Sequence, residues 1–322
     1  MSDGLRVVAF GGGTGLPVLL RGLRSELADG ITAVVTVADD DGSSGRLREE
    51  LGVAAPGDVR NCLVALAGRR RLAELFDHRF EAGAELRDHA VGNIIIAALA
   101  EMSGGFCEGV EHAARFLRIK GTVYPAATES LTLVVRHVDG TVTRGESRLR
   151  EVGRPVASVA VEPRSAVAPA GVVEAIEAAD VLVLSPGSLF TSTLPSLLGG
   201  GVREALARFP RPIVYVANVM TQPGETLGYT VAGHLRAIIA HVGPVVTDAL
   251  VNVQAVPEWL LTRYREQGAA PVILDRDEVE ALGVRVREAP LLPDTISAGV
   301  RHDPGRLARA VCEVARTAMV RG

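Results

Sequence analysis

Aromatic residues make up only 4% of the 322 residues, with a single tryptophan. A chain so poor in rings offers few surfaces on which nucleic-acid bases could stack. Nor is there a basic excess: 34 Lys and Arg face 38 Asp and Glu, a net charge of -4, so no field exists to hold a polyanionic backbone or an anionic membrane. Neither nucleic acid nor a lipid surface is expected as a partner. The three cysteines, Cys62, Cys107 and Cys312, are odd in number and far apart, which fits neither a disulfide framework nor a zinc spacing. No apolar run reaches the roughly 18 residues that would span a bilayer. The opening "MSDGLR" lacks a basic stretch followed by an apolar one, so a cytoplasmic protein without a membrane span is expected. Recognisable catalytic spacings are missing as well: no H-E-x-x-H, no G-x-S-x-G and no C-x-x-C.

Apolar residues are plentiful, at 48%. Short β-branched runs, "LRVVAF", "ITAVVTVA", "VLVLS", "PIVYVANV" and "ALVNVQ", alternate with helical patterns such as "GLPVLLRGLRSELA", "GDVRNCLVALAG" and "GYTVAGHLRAIIAHV". This alternation predicts an α/β fold of Rossmann-like, doubly wound type around a mainly parallel sheet. Residues 122–162 differ: "LTLVVRHVDGTVTRG" alternates polar and apolar residues around an Asp-Gly turn, which predicts a small antiparallel β insertion. One domain over residues 1–322 carrying that insertion is expected.

Parallel sheets bind ligands beyond the C-terminal ends of their strands, so the post-strand turns matter most. The first, "FGGGTG", places Gly11, Gly12, Gly13, Thr14 and Gly15 between a strand and a helix, where backbone N–H groups can meet phosphate oxygens. Its spacing is neither G-x-G-x-x-G nor a P-loop. The second, "ADDDGSSGRLREELG", sets Asp39 and Asp40 beside Ser43, Ser44, Gly45 and Arg46. Those carboxylates suit either a ribose hydroxyl or a magnesium ion between phosphates, and both roles stay open. Arg60 and Asn61 follow at a helix start in "PGDVRNCL", where Asp58 reads as an N-cap, and Asn93 follows in "DHAVGNIII". In "VLVLSPGSLFTSTLPSLL" the strand, turn and helix order returns, with Gly187 and Ser188 as donors. Asn218 and Thr221 end the strand in "YVANVMTQPGET". Tyr264 can stack on a base, and Arg301, before the last helix, can grip a phosphate. All these residues form the predicted nucleotide and phosphate site, with Asp39 and Asp40 as metal ligands and no catalytic residue assigned. The strand-glycine-helix order leaves an NAD-binding dehydrogenase as a distant alternative.

Taken together, "GGGTGLPVLLRGL", "TVADDDGSSGRLREELG", "APGDVRNCLVALA", "SPGSLFTSTLPSLL" and "NVMTQPGETLGYT" resemble the YvcK-type gluconeogenesis factor family. That family shares a superfamily with the CofD-type 2-phospho-L-lactate transferases. The resemblance implies a cytoplasmic protein that binds a nucleotide-sugar such as UDP-GlcNAc and supports cell shape and envelope synthesis on gluconeogenic carbon sources. It also implies a homodimer, a protein partner of cell-wall synthesis, and no permanently bound cofactor beyond Mg2+. The transferase branch implies the alternative, magnesium-dependent phospholactyl transfer to a deazaflavin alcohol in the coenzyme F420 pathway. Two departures stand out. Asp41 replaces a glycine of the family's acidic loop, and "DHAVGN" replaces "GHSFGN", which removes any hydroxyl at Ala90 but keeps His89 and Asn93.

Overall fold

The computed structural model describes residues 4–296 and 299–321. The strands, in chain order, are β1 (Val7–Gly11), β2 (Ile31–Val35), β3 (Thr122–Pro125), β4 (Thr132–His137), β5 (Val142–Arg144), β6 (Val156–Glu162), β7 (Val181–Leu184), β8 (Ile213–Val216), β9 (Asp248–Asn252) and β10 (Arg285–Ala289). Among the described residues they form a seven-stranded sheet, order β10-β9-β8-β7-β1-β2-β3, and a three-stranded sheet, order β5-β4-β6. Every pairing in the larger sheet is parallel, and both in the smaller one are antiparallel. The doubly wound α/β expectation holds.

The central strands are apolar on both faces because helices cover both: each residue of β1, β7 and β8 is buried. Helix α1 (Gly15–Glu26) turns Leu16, Leu19, Leu20 and Leu23 into that core. It lies directly on the start of the last helix, Pro304–Arg321: a Cβ on Gly22 would stand 1.9 Å from the Pro304 carbonyl oxygen. Only glycine admits that contact.

Two details differ from expectation. Thr122–Pro125, assigned above to the insertion, pairs in parallel with β2 and closes the edge of the main sheet, so the antiparallel sheet begins at Thr132. The other edge, β10, went unread because its sequence, "RVREA", has no apolar face. It is held by charge: Arg285 and Arg287 each approach the fully buried Asp248 of β9 at 2.8 Å. Burial alone would raise the Asp248 pKa, but hydrogen bonds from both arginines and from Thr247 outweigh it and hold the carboxyl below its ordinary value.

The cysteines are free, and burial pushes their thiols up, to about 11 for Cys107 and Cys312. No helix among the described residues is long and apolar enough to cross a membrane.

Candidate functional site

From β1 the chain winds outward through β2 and β3, and from β7 through β8, β9 and β10 in the opposite direction. The switch point therefore lies between β1 and β7, which are direct neighbours. A crevice must open there, since the loops leaving these two strands turn apart.

In this chain the two turns lock together before they separate. Cβ atoms on Gly11 and Gly15 would stand 2.1 Å from Ser185 Oγ and 1.7 Å from the Pro186 carbonyl oxygen. Gly12 has no room either, because Asp58 Oδ2 would stand 2.5 Å from its Cβ. The same oxygen accepts the Gly13 N–H at 2.7 Å. Asp58 thus fastens the glycine turn rather than capping its own helix, Gly57–Leu66, and one N–H expected to face phosphate is already committed.

Beyond the interlocked turns lies a cleft of about 230 Å³. Its walls include Thr14, Gly15, Gly187, Asn218, Thr221, Tyr264 and Arg301. The Tyr264 hydroxyl accepts the Val300 N–H at 3.1 Å, so the ring also secures the segment that carries Arg301. Arg301 is exposed and makes no hydrogen bond or ion pair with the described residues. A guanidinium so placed is available to an anion. Two further lining residues, Gln222 and His302, were not singled out above. Their signal was position: each adjoins a residue that was, Thr221 and Arg301.

The second turn works differently from its sequence. Ser188 does not open an α-helix; it caps a short π-helical turn, Leu189–Thr193, followed by a 3-10 turn at Pro195–Leu197. Pro195 supplies no N–H, and the run of Thr191, Ser192 and Thr193 offers hydroxyls that compete for backbone groups. The Ser188 hydroxyl donates to Glu225 and accepts from the Thr191 N–H at 3.0 Å. Asn218 is likewise engaged, its Oδ1 accepting the Gly187 N–H at 2.9 Å and its Nδ2 donating to the Gly187 carbonyl at 2.6 Å. Thr221 Oγ1 accepts the Ala270 N–H at 2.9 Å. These side chains, expected to meet a ligand, shape the wall that the ligand would meet.

The remaining candidates gather elsewhere, around α2 (Gly42–Leu51), α3 (Gly57–Leu66) and the helix Val91–Ser103. Ser43 Oγ lies 2.9 Å from His89 Nδ1 and accepts from Asn93 Nδ2 at 3.0 Å, all three buried. Burial, then repulsion by Arg46, holds His89 below its ordinary pKa, so its imidazole is neutral at physiological pH. Ser44 Oγ accepts the Gly57 N–H at 3.2 Å, and a Cβ on Gly45 would stand 2.3 Å from the Asp40 carbonyl oxygen, so both residues pack the acidic loop. Arg46 donates to the Arg87 carbonyl at 2.6 Å, and buried Arg60 donates to Asn61. Asp41 caps α2. Asp39 accepts the Asp41 N–H at 3.1 Å, while Asp40 accepts the N–H of Ser147, in the insertion, at 2.9 Å. Among the described residues no group of three or more His, Cys, Asp or Glu side chains gathers as a metal site.

A doubly wound parallel sheet with a cleft at its switch point defines a Rossmann-like α/β protein, and that cleft is its candidate ligand site. A family model described as 2-phospho-L-lactate transferase CofD matches residues 7–292. The gluconeogenesis factor of Bacillus subtilis is 41% identical over 311 residues, 96% of this chain and 98% of its own. That of Halalkalibacterium halodurans is 43% identical over 309 residues, 95% of each. A crystal structure of a Bacillus halodurans protein superposes with a TM-score of 0.92 at 42% identity, covering 96% of this chain and 99% of the other. The chain belongs to the gluconeogenesis factor family, a branch of the CofD-like proteins.

Proposed function

We propose that the protein is a nucleotide-sugar-binding gluconeogenesis factor whose ligand belongs to the UDP-N-acetylhexosamine class. The observation that carries this reading is the cleft at the switch point, where an aromatic ring, a glycine-rich helix start and an unpaired arginine share one wall system. Those are the groups a base, a diphosphate and its charge require. At about 230 Å³ the cleft takes one end of such a ligand, and the sugar end lies outside it. The role is regulatory: a cytoplasmic protein, acting as a homodimer, that reports nucleotide-sugar supply to a partner in cell-wall synthesis and so maintains cell shape on gluconeogenic carbon sources. Calorimetry with UDP-GlcNAc tests the binding. Wild type is expected to bind, and Arg301→Ala to bind at least tenfold more weakly; equal affinity would remove Arg301 from the site.

The family match favours a second reading, a magnesium-dependent 2-phospho-L-lactate transferase. Adjacent carboxylates fit an ion that takes one or two protein carboxylates and completes its shell with water and substrate phosphate. Asp39 and Asp40 would hold it, and it would supply positive charge between the phosphate and an attacking hydroxyl. Incubation with magnesium, a nucleoside-diphospho-lactate donor and the deazaflavin alcohol is the test. Product no greater than with Asp40→Ala would overturn this reading.

A further inference from the structure

At the other end of the sheet, where β8, β9 and β10 begin, lies a separate cavity of about 380 Å³. Arg211, Arg285 and Arg287 line it together with Thr247 and Thr317, and its lining includes no acidic residue. The chain holds each arginine in place. Arg211 stands between Pro210 and Pro212 just ahead of β8, where the two rings restrict its backbone, and its Nη1 donates to the Ala179 carbonyl. Arg285 and Arg287 are two residues apart on β10, so they project from one face of the strand, and both reach the fully buried Asp248. That carboxylate accepts from Arg285 Nε and Nη2 at 3.1 and 2.8 Å, from Arg287 Nε at 2.8 Å and from Thr247 Oγ1 at 2.7 Å.

A carboxylate offers about four acceptor sites, so Asp248 is saturated. Arg285 Nη1, both Nη groups of Arg287 and Arg211 Nη2 have no further partner among the described residues. Three guanidinium groups thus answer to one carboxylate. Water can accept from the remaining donors, but it cannot offset their charge. Both threonine hydroxyls spend their protons within the fold, Thr317 on the Glu313 carbonyl at 2.8 Å, which leaves the arginines as the donors of the cavity. Guanidinium forks match the oxygens of phosphate and carboxylate, and forks fixed in advance lose less freedom when a ligand arrives. The positive charge is local to a chain whose net charge is -4, and the cavity has the dimensions of a small-molecule pocket, so a nucleic acid or a membrane does not fit it. We infer that this cavity is a second ligand site, for a small metabolite that carries two or more anionic phosphate or carboxylate groups. It is distinct from the cleft at the switch point, and the inference stands or falls whatever that cleft holds.

Calorimetry on the full chain with pyrophosphate and, separately, with citrate tests the site, in about 0.15 M salt so that diffuse attraction is screened. Wild type is expected to bind at least one of the two, and the pair of titrations decides between phosphate and carboxylate. Arg211→Gln and Arg287→Gln are each expected to weaken that binding at least tenfold. Arg301→Ala, in the cleft, is expected to leave it unchanged, which separates this cavity from anion binding at the switch point. Arg211→Gln leaves Asp248 with all four of its donors, so it carries the test even if Arg287→Gln fails to fold. The inference is overturned if wild type binds neither anion, if Arg211→Gln binds as tightly as wild type, or if Arg301→Ala alone abolishes the binding.

Discussion

Gly15 has the narrowest tolerance of the glycines in the cleft. An added Cβ would lie 1.7 Å from the Pro186 carbonyl oxygen, and backbone cannot yield as a side-chain tip can. Gly15→Ala is therefore expected to destabilise the fold by about 2 kcal/mol, the usual cost of overpacking, seen as a lower denaturation midpoint at unchanged slope. His302 sets a pH dependence at the same scale. Its pKa is lowered from 6.5 to about 4 in the folded protein, so between those values the unfolded chain binds the extra proton and acid favours unfolding. Stability is expected to fall as pH drops from 6.5 to about 4, by up to about 3 kcal/mol from this residue. Denaturant titrations at pH 7 and pH 5 should show a smaller loss for His302→Gln than for wild type. His302 also marks where sequence reading stopped. A histidine beside an arginine reads as surface until the fold buries it.

Among the elements, those with apolar pattern were legible and those held by charge were not. The runs around Val7, Ile31, Val181, Ile213 and Ala249 declared themselves because strands covered on both faces must be apolar throughout. β10, which has no fully buried residue, is held instead by the buried Asp248 of β9, and no periodicity announces a strand whose partner is a carboxylate so far back in the chain. Arg285→Ala combined with Arg287→Ala leaves that carboxylate buried without its counter-charges. The double variant is expected to lose about 3 kcal/mol by chemical denaturation, with Asp248→Asn in the same background recovering part of it. The "SPGS" turn misled for a related reason. Its post-strand position is right, but a proline and a run of hydroxyl residues replace the α-helix whose N-terminus the pattern promised.

Across the whole molecule, the post-strand loops do converge on one edge, as a parallel sheet demands, yet they divide between a cleft at the switch point and a buried cluster near Ser43. Sequence order cannot reveal that division, because both groups follow strands of the same sheet. The acidic loop bridges the smaller sheet to the larger. Asp40 binds Ser147 of the insertion, and Arg48 donates to the Asp39 carbonyl at 2.8 Å and to Thr132 Oγ1 of β4 at 3.4 Å. In Asp40→Ala, the Ser147 amide is expected to exchange its hydrogen at least tenfold faster, a loss of about 1.5 kcal/mol or more of charge-assisted bonding, while amides of β1 keep wild-type rates. Equal exchange at Ser147 would mean that the insertion is held by other contacts.

The close seating of Gly22 on Pro304 has a consequence for biosynthesis. The segment that brings Arg301 and His302 to the cleft is placed by a helix that packs on the first one, across nearly 300 residues of intervening chain. A nascent chain still on the ribosome can assemble the glycine turn, and even the paired central strands once β7 emerges, yet it has half a cleft. The walls of the cleft are complete only after the helix from Pro304 has left the exit tunnel and docked. Any ligand of this cleft would therefore meet its full set of walls only in chains already synthesised through the helix from Pro304.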